Sequence, residues 1–308
     1  MVFTGMGSSY HACYPAVTEL AREGRPAVHL GAAELLHFRM GILDGTSLVV
    51  AVSQSGESAE VVRLARALPD ADRPTLLAIT NGMRSALASI ADVVLDTRAG
   101  EETGPSTMTF AAALVALAGV AAALTGVAVQ EAASRLAGDA EAAASALERL
   151  LADRSLPQEL ADRLGARDSV VLLGRGPARA AAEMGALTLK EAVGMPAESL
   201  EAAQFRHGPL ELAGPKLAAI VLATEPETIE LDLALAAELV AAGAAVLAVT
   251  REGVAPAGAS RIEIGPLART IGPAVSILPM QLLAWQLAIL RGREPGTYVR
   301  ASKVTTRE

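Results

Sequence analysis

Short apolar runs rich in β-branched residues alternate with long Ala- and Leu-rich stretches through the whole chain. A run such as Leu48-Val49-Val50-Ala51-Val52 has no polar face, so its strand must be covered on both sides. Strands of this kind, separated by helices, predict parallel sheets flanked by helices and an α/β fold. The runs at 27–30, 47–52, 75–80 and 92–95 form one set, and those at 169–173, 217–222, 245–250 and 261–264 form another. Aromatic residues make up only 3% of the 308, so both cores must be built from Ala, Val, Leu and Ile.

The two sets read as one domain duplicated. Gly5-Met6-Gly7-Ser8-Ser9 opens the first half, and Gly174-Arg175-Gly176-Pro177-Ala178 follows a strand in the second. Each precedes a helical segment, then a strand, a helix and a strand. The expected division is a first subdomain at 1–135, a helical connector at 136–166 and a second subdomain at 167–308. The connecting region is charged, and its helix is expected to break at Pro157. Residues 1–4 are already strand-like, whereas a domain of this kind usually opens on a helix, so the start is expected to be truncated or differently chosen.

The formal net charge is −8 and no basic stripe is present, which argues against nucleic acid as a partner. An anionic small ligand needs only a local site. The single cysteine, Cys13, rules out an intrachain disulfide, and a cytoplasmic location fits. No basic segment followed by an apolar run marks a signal peptide. The uncharged stretch 110–129 is mostly Ala and Gly, so it reads as a buried core helix and not as a membrane span. No metal-ligand spacing appears, and no metal or cofactor is expected.

Several motifs could carry chemistry. Ser53-Gln54-Ser55-Gly56-Glu57-Ser58 lies after a strand and before a helix, at the carboxyl end of a parallel strand, where open α/β sheets place ligands. The unpaired N–H groups of the next helix attract an anion, the three serines add hydroxyl donors, and Gly56 lets the backbone approach. The competing reading is a polar turn with a serine cap. The equivalent loop of the second half, Ala223-Thr224-Glu225-Pro226-Glu227-Thr228, has fewer hydroxyls and more carboxylates, so phosphate binding is expected in the first half. Gly5–Tyr10 does not complete a dinucleotide pattern, and reads equally as a tight turn with Ser9 as helix cap. Thr103-Gly104-Pro105-Ser106-Thr107 reads by itself as an N-cap cluster. The densest ionisable group is Lys190-Glu191, Glu198, Glu201, Arg206 and His207. Glu191 interrupts an apolar helix, where an ionised carboxylate is costly unless it faces a cavity. Glu191 and His207 suit a proton shuttle on a carbon acid, and a salt bridge from Glu191 to Lys190 or Arg206 is the alternative.

These residues resemble the sugar isomerase (SIS) family, and within it the isomerase half of glucosamine-6-phosphate synthase and its stand-alone deaminase and deglycase relatives. The resemblance rests on Gly5 to His11, Ser53 to Ser58, Ser106 to Phe110, Gly185 to Glu191, Gln204 to Pro209 and Lys303 to Thr305, in that order. It implies two tandem SIS subdomains, with the C-terminal tail lying over the site. It implies that Ser53, Gln54, Ser55 and Ser58 hold a sugar phosphate with Ser9 nearby, and that Ser8, Gly104, Ser106 and Ser302 line the sugar. By the same resemblance Glu191 moves a proton between C1 and C2, and His207 opens the sugar ring from a neighbouring subunit, making a homodimer. Lys303 is carried as a catalytic candidate. The departures are three. No glutaminase domain accompanies the chain, so glutamine-dependent amination is not expected. Thr188 stands where the synthase pattern has a lysine. Ser302 aligns with the synthase's Schiff-base lysine, one place before Lys303. The implied activity is isomerisation and deamination of an amino-sugar phosphate such as glucosamine 6-phosphate. The rivals are fructosamine-6-phosphate deglycase and a non-catalytic phosphosugar sensor.

Overall fold

A computed structural model describes residues 1–308 except Gly165, Ala166, Asp168, Glu252 and Glu308. The chain divides into two compact units, one of Met1–Leu136 with Val299–Glu308 and one of Ala137–Tyr298. The C-terminal tail is thus counted with the first unit, and most of the connecting helix with the second.

In the first unit, β1 (Val2–Gly5), α1 (Gly7–Arg22), β2 (Val28–Gly31) and α2 (Ala32–Glu34) lead into β3 (Leu48–Val52). Then come α3 (Ala59–Ala67), β4 (Thr75–Thr80), α4 (Ala86–Ile90), β5 (Val93–Asp96) and α5 (Met108–Leu124). The five strands are all parallel, in the order β2-β1-β3-β4-β5. Val49 and Ala51 of β3 join Val61, Leu64 and Ala65 of α3 in one core. Successive strand residues point to opposite faces, so Val50 and Val52 face the other side, where α1 and α5 pack together. All four strand residues are buried. Residues 110–129 are therefore mainly the core helix α5, with Leu114, Leu117 and Ala121 buried. The stretch Pro273–Leu290 is long and apolar enough to cross a membrane by composition, and 61% of it is buried inside the fold.

α6 (Val129–Ala152) carries the chain into the second unit. The expected break at Pro157 is displaced. The helix ends at Ala152, and Pro157 sits in the first turn of α7 (Leu156–Leu164), where its missing N–H and fixed φ suit a helix start. Then follow β6 (Ser169–Gly174), α8 (Ala178–Val193), β7 (Ala197–Glu201), α9 (Ala202–Phe205) and β8 (Leu217–Ala223). The unit ends with α10 (Ile229–Ala241), β9 (Ala245–Thr250), β10 (Ser260–Glu263), α11 (Pro273–Ser276) and α12 (Leu278–Leu290). Its order, β10-β9-β8-β6-β7, is that of the first sheet read from the other edge, again all parallel. The duplication expected from the sequence is thus present in the topology. Strand β7 is the element the apolar runs do not announce. It is an edge strand of sequence Ala-Glu-Ser-Leu-Glu, in which no residue is fully buried.

Candidate functional site

In each sheet the strand order reverses between the first and third strands, and the helices that follow these two lie on opposite faces. The carboxyl ends there open a crevice, the usual ligand position in such sheets. In the first unit the two loops at this point are residues 5–9 after β1 and 53–58 after β3. Their backbones meet: a Cβ on Gly5 would lie 2.8 Å from the Val52 carbonyl oxygen. Ser8, Ser9, Gln54, Thr97, Thr109 and Phe110 line the crevice.

The 53–58 loop is held by its own hydrogen bonds. Ser53 is buried, its N–H donates to the Ile79 carbonyl at 3.0 Å, and its Oγ accepts from the Gly56 N–H at 3.2 Å. Ser53 Oγ and Ser58 Oγ lie 3.2 Å apart. Thr80 Oγ1 donates to the Gln54 carbonyl at 3.3 Å, and the Asn81 N–H donates to the same oxygen at 3.0 Å. The Glu57 side chain accepts from the Ala86 N–H at 2.8 Å, tying the loop to the start of α4. Gly56 has φ +67°, a left-handed conformation that glycine adopts at little cost. Ser58 is the N-cap residue of α3, yet its side chain makes no capping bond. The polar-turn reading expects that bond, so the Ser58 hydroxyl is not spent on closing the helix. Neutral hydroxyls and a helix N-terminus are a donor set suited to a tetrahedral oxyanion.

Ser9 does not cap α1. The helix begins at Gly7, its N-cap is Met6, and Ser9 lies inside the first turn, half-buried at the crevice. The cap reading fails because the helix begins at Gly7 with Met6 as its N-cap, three residues before Ser9. Ser8 Oγ donates to Ser106 Oγ at 3.0 Å, which joins the β1 loop to the segment before α5. That segment is organised by Glu102, a residue that no sequence motif singles out. One Glu102 oxygen accepts from the Thr107 N–H at 2.8 Å, the Thr107 hydroxyl at 2.9 Å and the Thr109 N–H at 3.2 Å. The other accepts from the Thr109 hydroxyl and, at 2.6 Å, from Lys303 Nζ. Lys303 Nζ also donates to the Gly104 carbonyl at 2.8 Å. Burial pushes the Glu102 carboxyl up, but the hydrogen bonds from Lys303, Thr109 and Thr107 outweigh it and bring it down to about 2. The tail makes a further attachment where the Ala59 N–H, first in α3, donates to the Thr305 carbonyl at 3.0 Å. Ser302 is exposed, with its hydroxyl donating to the Val304 carbonyl at 2.8 Å.

The remaining candidate residues belong to the second unit. Glu191 lies partly exposed in the last turn of α8. Thr188, one turn earlier, is buried, and its hydroxyl donates to the Met184 carbonyl at 2.9 Å. His207 is exposed in the loop after α9, followed by Gly208 at φ +121°. Arg206 donates to both Glu238 oxygens at 2.6 and 2.8 Å, so its fork is committed there and not to Glu191. Glu201, counted in the ionisable cluster, has a local structural role. It accepts from the Ala203 and Gln204 N–H groups as the N-cap of α9.

At this unit's own switch point the protein supplies the charges. Arg175, at the position matching Met6, donates to Asp232 at 2.7 Å and Glu201 at 3.3 Å. Asp232 is only 1% exposed, and burial raises its carboxyl above the ordinary range despite Arg175. Glu225 is buried after β8, accepts from the Ala178 N–H at the start of α8, and lies 3.7 Å from Arg269. Burial pushes it up to about 7, against the pull of Arg269. An internal carboxylate thus takes the helix N-terminal donor that an incoming anion would use. Among the described residues no group of three or more His, Cys, Asp or Glu could hold a metal ion.

The sequence matches the SIS domain family over residues 1–123 and 164–291. It is 32% identical over 310 aligned residues to glutamine–fructose-6-phosphate aminotransferase (isomerizing) of Pyrobaculum aerophilum, covering 99% of this chain and 51% of that protein. It is 33% identical over 297 residues to the protein of the same name from Mycobacterium bovis, covering 93% of this chain and 47% of that one. The chain therefore spans about half the length of the curated relatives it matches. Among solved structures, the C-terminal domain of glucosamine-fructose-6-phosphate aminotransferase from Francisella tularensis superposes with a TM-score of 0.86 at 27% identity, covering 96% of this chain and 86% of that one. Glucosamine-6-phosphate deaminase from Thermotoga maritima superposes at 0.77 with 21% identity, covering 98% and 89%, a likeness of fold alone.

Proposed function

The chain belongs to the SIS domain family, and on that premise we propose that it binds an amino-sugar phosphate such as glucosamine 6-phosphate and converts it by proton transfer between C1 and C2 with loss of ammonia. The observation that carries the reading is the 53–58 loop. The Ser53 and Ser58 hydroxyls lie 3.2 Å apart at the carboxyl end of β3, the Ser55 hydroxyl accepts from the Glu57 N–H at 3.1 Å, and the one expected to cap α3 does not do so. Ser53, Gln54, Ser55 and Ser58, with Ser9, are assigned to the phosphate. Ser8, Gly104, Ser106 and Ser302 are assigned to the sugar.

Anchoring the phosphate fixes the sugar and supplies orientation to the slow step. His207 assists ring opening. The Glu191 carboxylate takes the C2 proton and returns it at C1, so that the aldose amine passes through an enolamine to a ketose imine. Water adds to that imine at C2, the carbinolamine collapses, and ammonia leaves with a ketose phosphate as the other product. Thr188 supports this over synthesis of the amine, because a buried, internally bonded hydroxyl replaces the lysine of the synthase pattern. His207 is exposed, as a residue donated to a second copy would be.

The test is turnover of glucosamine 6-phosphate, fructosamine 6-phosphate and fructose 6-phosphate, following ammonia and ketose release. The proposal expects ammonia from the first, and expects Glu191→Gln to lose about 10²-fold or more in kcat while still binding sugar. Unchanged turnover in that variant removes Glu191 as the base. Cleavage of fructosamine 6-phosphate alone makes the protein a deglycase, and binding without turnover makes it a sensor. Mixing Glu191→Gln with His207→Ala protein should restore activity if the histidine crosses between subunits, since one site of each hybrid dimer then keeps both groups.

A further inference from the structure

Glu102 lies in an acidic loop of ordinary appearance, yet it gathers five hydrogen bonds from three separate places: Thr107, Thr109 and Lys303. The Glu102 side chain is only 5% exposed and that of Lys303 17%. Lys303 has two oxygen acceptors within 2.8 Å, a carboxylate and the Gly104 carbonyl. A lysine that attacks a sugar carbonyl must offer a neutral amine with a free lone pair. Nζ donates to both oxygens facing it, so its N–H bonds are engaged there and hold the amine in place.

We propose that Glu102 is a positioning residue that latches the C-terminal tail through Lys303, and that Lys303 serves as a fixed ammonium and not as a nucleophile. The inference rests on the reading of residues 104–106 as the sugar-facing wall, because that wall is what the latch holds. The tail is attached twice. Lys303 binds beside the start of α5, and the Thr305 carbonyl takes the first N–H of α3. Between these points it straps the segment carrying Gly104 and Ser106 to the helix that follows the serine loop. The same carboxylate satisfies the N–H groups of Thr107 and Thr109 at the open end of α5, where the Thr107 side chain makes no capping bond. One charge thus sets the helix start, the wall and the tail together.

The experiment compares the whole chain with Lys303→Arg, Lys303→Met and Glu102→Gln. Hydrogen exchange of the Ala59 N–H, the donor to the tail's Thr305 carbonyl, is read first, with no sugar present. Arginine keeps a cation that can donate to both oxygens but cannot form a Schiff base. The expected result is wild-type protection in Lys303→Arg and exchange faster by about tenfold or more in Lys303→Met and Glu102→Gln, the scale of a lost hydrogen bond to a charged group. Should Glu102→Gln fail to fold, the two Lys303 variants carry the comparison. Borohydride is then added to wild-type protein with fructose 6-phosphate, and Lys303 is examined by mass spectrometry; no adduct is expected. Unchanged exchange in Lys303→Met, or a reduced sugar on Lys303, overturns the proposal. The exchange result stands without any substrate, so a failed latch and a failed functional reading are separately visible.

Discussion

Replacing Gly56 by alanine tests whether the serine loop has the rigid form described. Two costs can be worked out. Gly56 sits at φ +67°, and a side chain in the left-handed region costs roughly 1–2 kcal/mol. The new Cβ would collide with the Ser85 hydroxyl and lie 2.5 Å from Ser85 Cβ. Ser85 is the N-cap of α4, accepting from the Ala88 N–H, so pushing it aside costs about 1 kcal/mol more. The sum is about 2–3 kcal/mol. Ser85→Gly alone should cost only a few tenths of a kcal/mol, because glycine is tolerated at N-caps. In Gly56→Ala/Ser85→Gly the collision with Ser85 is gone, while the 3.0 Å approach to the Thr80 hydroxyl and the backbone strain remain. The double variant should therefore be more stable than Gly56→Ala by about 1 kcal/mol, a coupling that neighbouring sites can show. Urea unfolding of the four proteins measures it. Additive costs, or a Gly56→Ala variant as stable as wild type, would refute the geometry of the loop.

Three further outcomes are expected. Ser58→Ala should change stability by less than about 0.5 kcal/mol, since no capping bond is lost, while phosphosugar affinity measured by calorimetry falls about tenfold. Arg175→Met should destabilise the second unit by about 3 kcal/mol in urea, because it removes the cation paired with Asp232 at 1% exposure and leaves that carboxylate with the Thr228 hydroxyl. Glu225 is raised to about 7 from 4.5, so the folded state holds a proton that the unfolded state releases between those values. The stability it contributes is present below pH 4.5 and is lost as pH rises through 7, so Glu225→Gln should gain on wild type between pH 5 and pH 8. Equal urea midpoints for the two proteins relative to each other at both values would contradict this.

The apolar runs marked eight of the ten strands among the described residues to within about a residue at either end, most clearly the inner strands such as β3 and β8, which are covered on both faces and have no polar position to blur their limits. Strand β1 was legible as the strand-like start before Gly5. Strand β7 was hidden, since an edge strand with two glutamates carries neither an apolar run nor a clear alternation. Its closing Glu201 reads in sequence as part of an ionisable cluster, and only the fold shows it capping α9 and meeting Arg175. The serine loop was visible because strand, hydroxyls, glycine and helix are contiguous. Glu102 was not, because its partners include a lysine 201 positions away. The Thr-x-Thr start of α5 was the one local signal that an acidic cap was needed. The alternative of Ser9 as a cap does not hold, because the helix already begins at Gly7 and Met6 stands at its end.

Residues 53–58 are proposed to hold the phosphate of a sugar. A crystal structure of the chain soaked with glucosamine 6-phosphate tests it most directly. Phosphate oxygens are expected at hydrogen-bond distance, about 2.7–3.2 Å, from the hydroxyls of Ser53, Ser55 and Ser58. A saturated crystal with the phosphate bound elsewhere and that loop empty would contradict it.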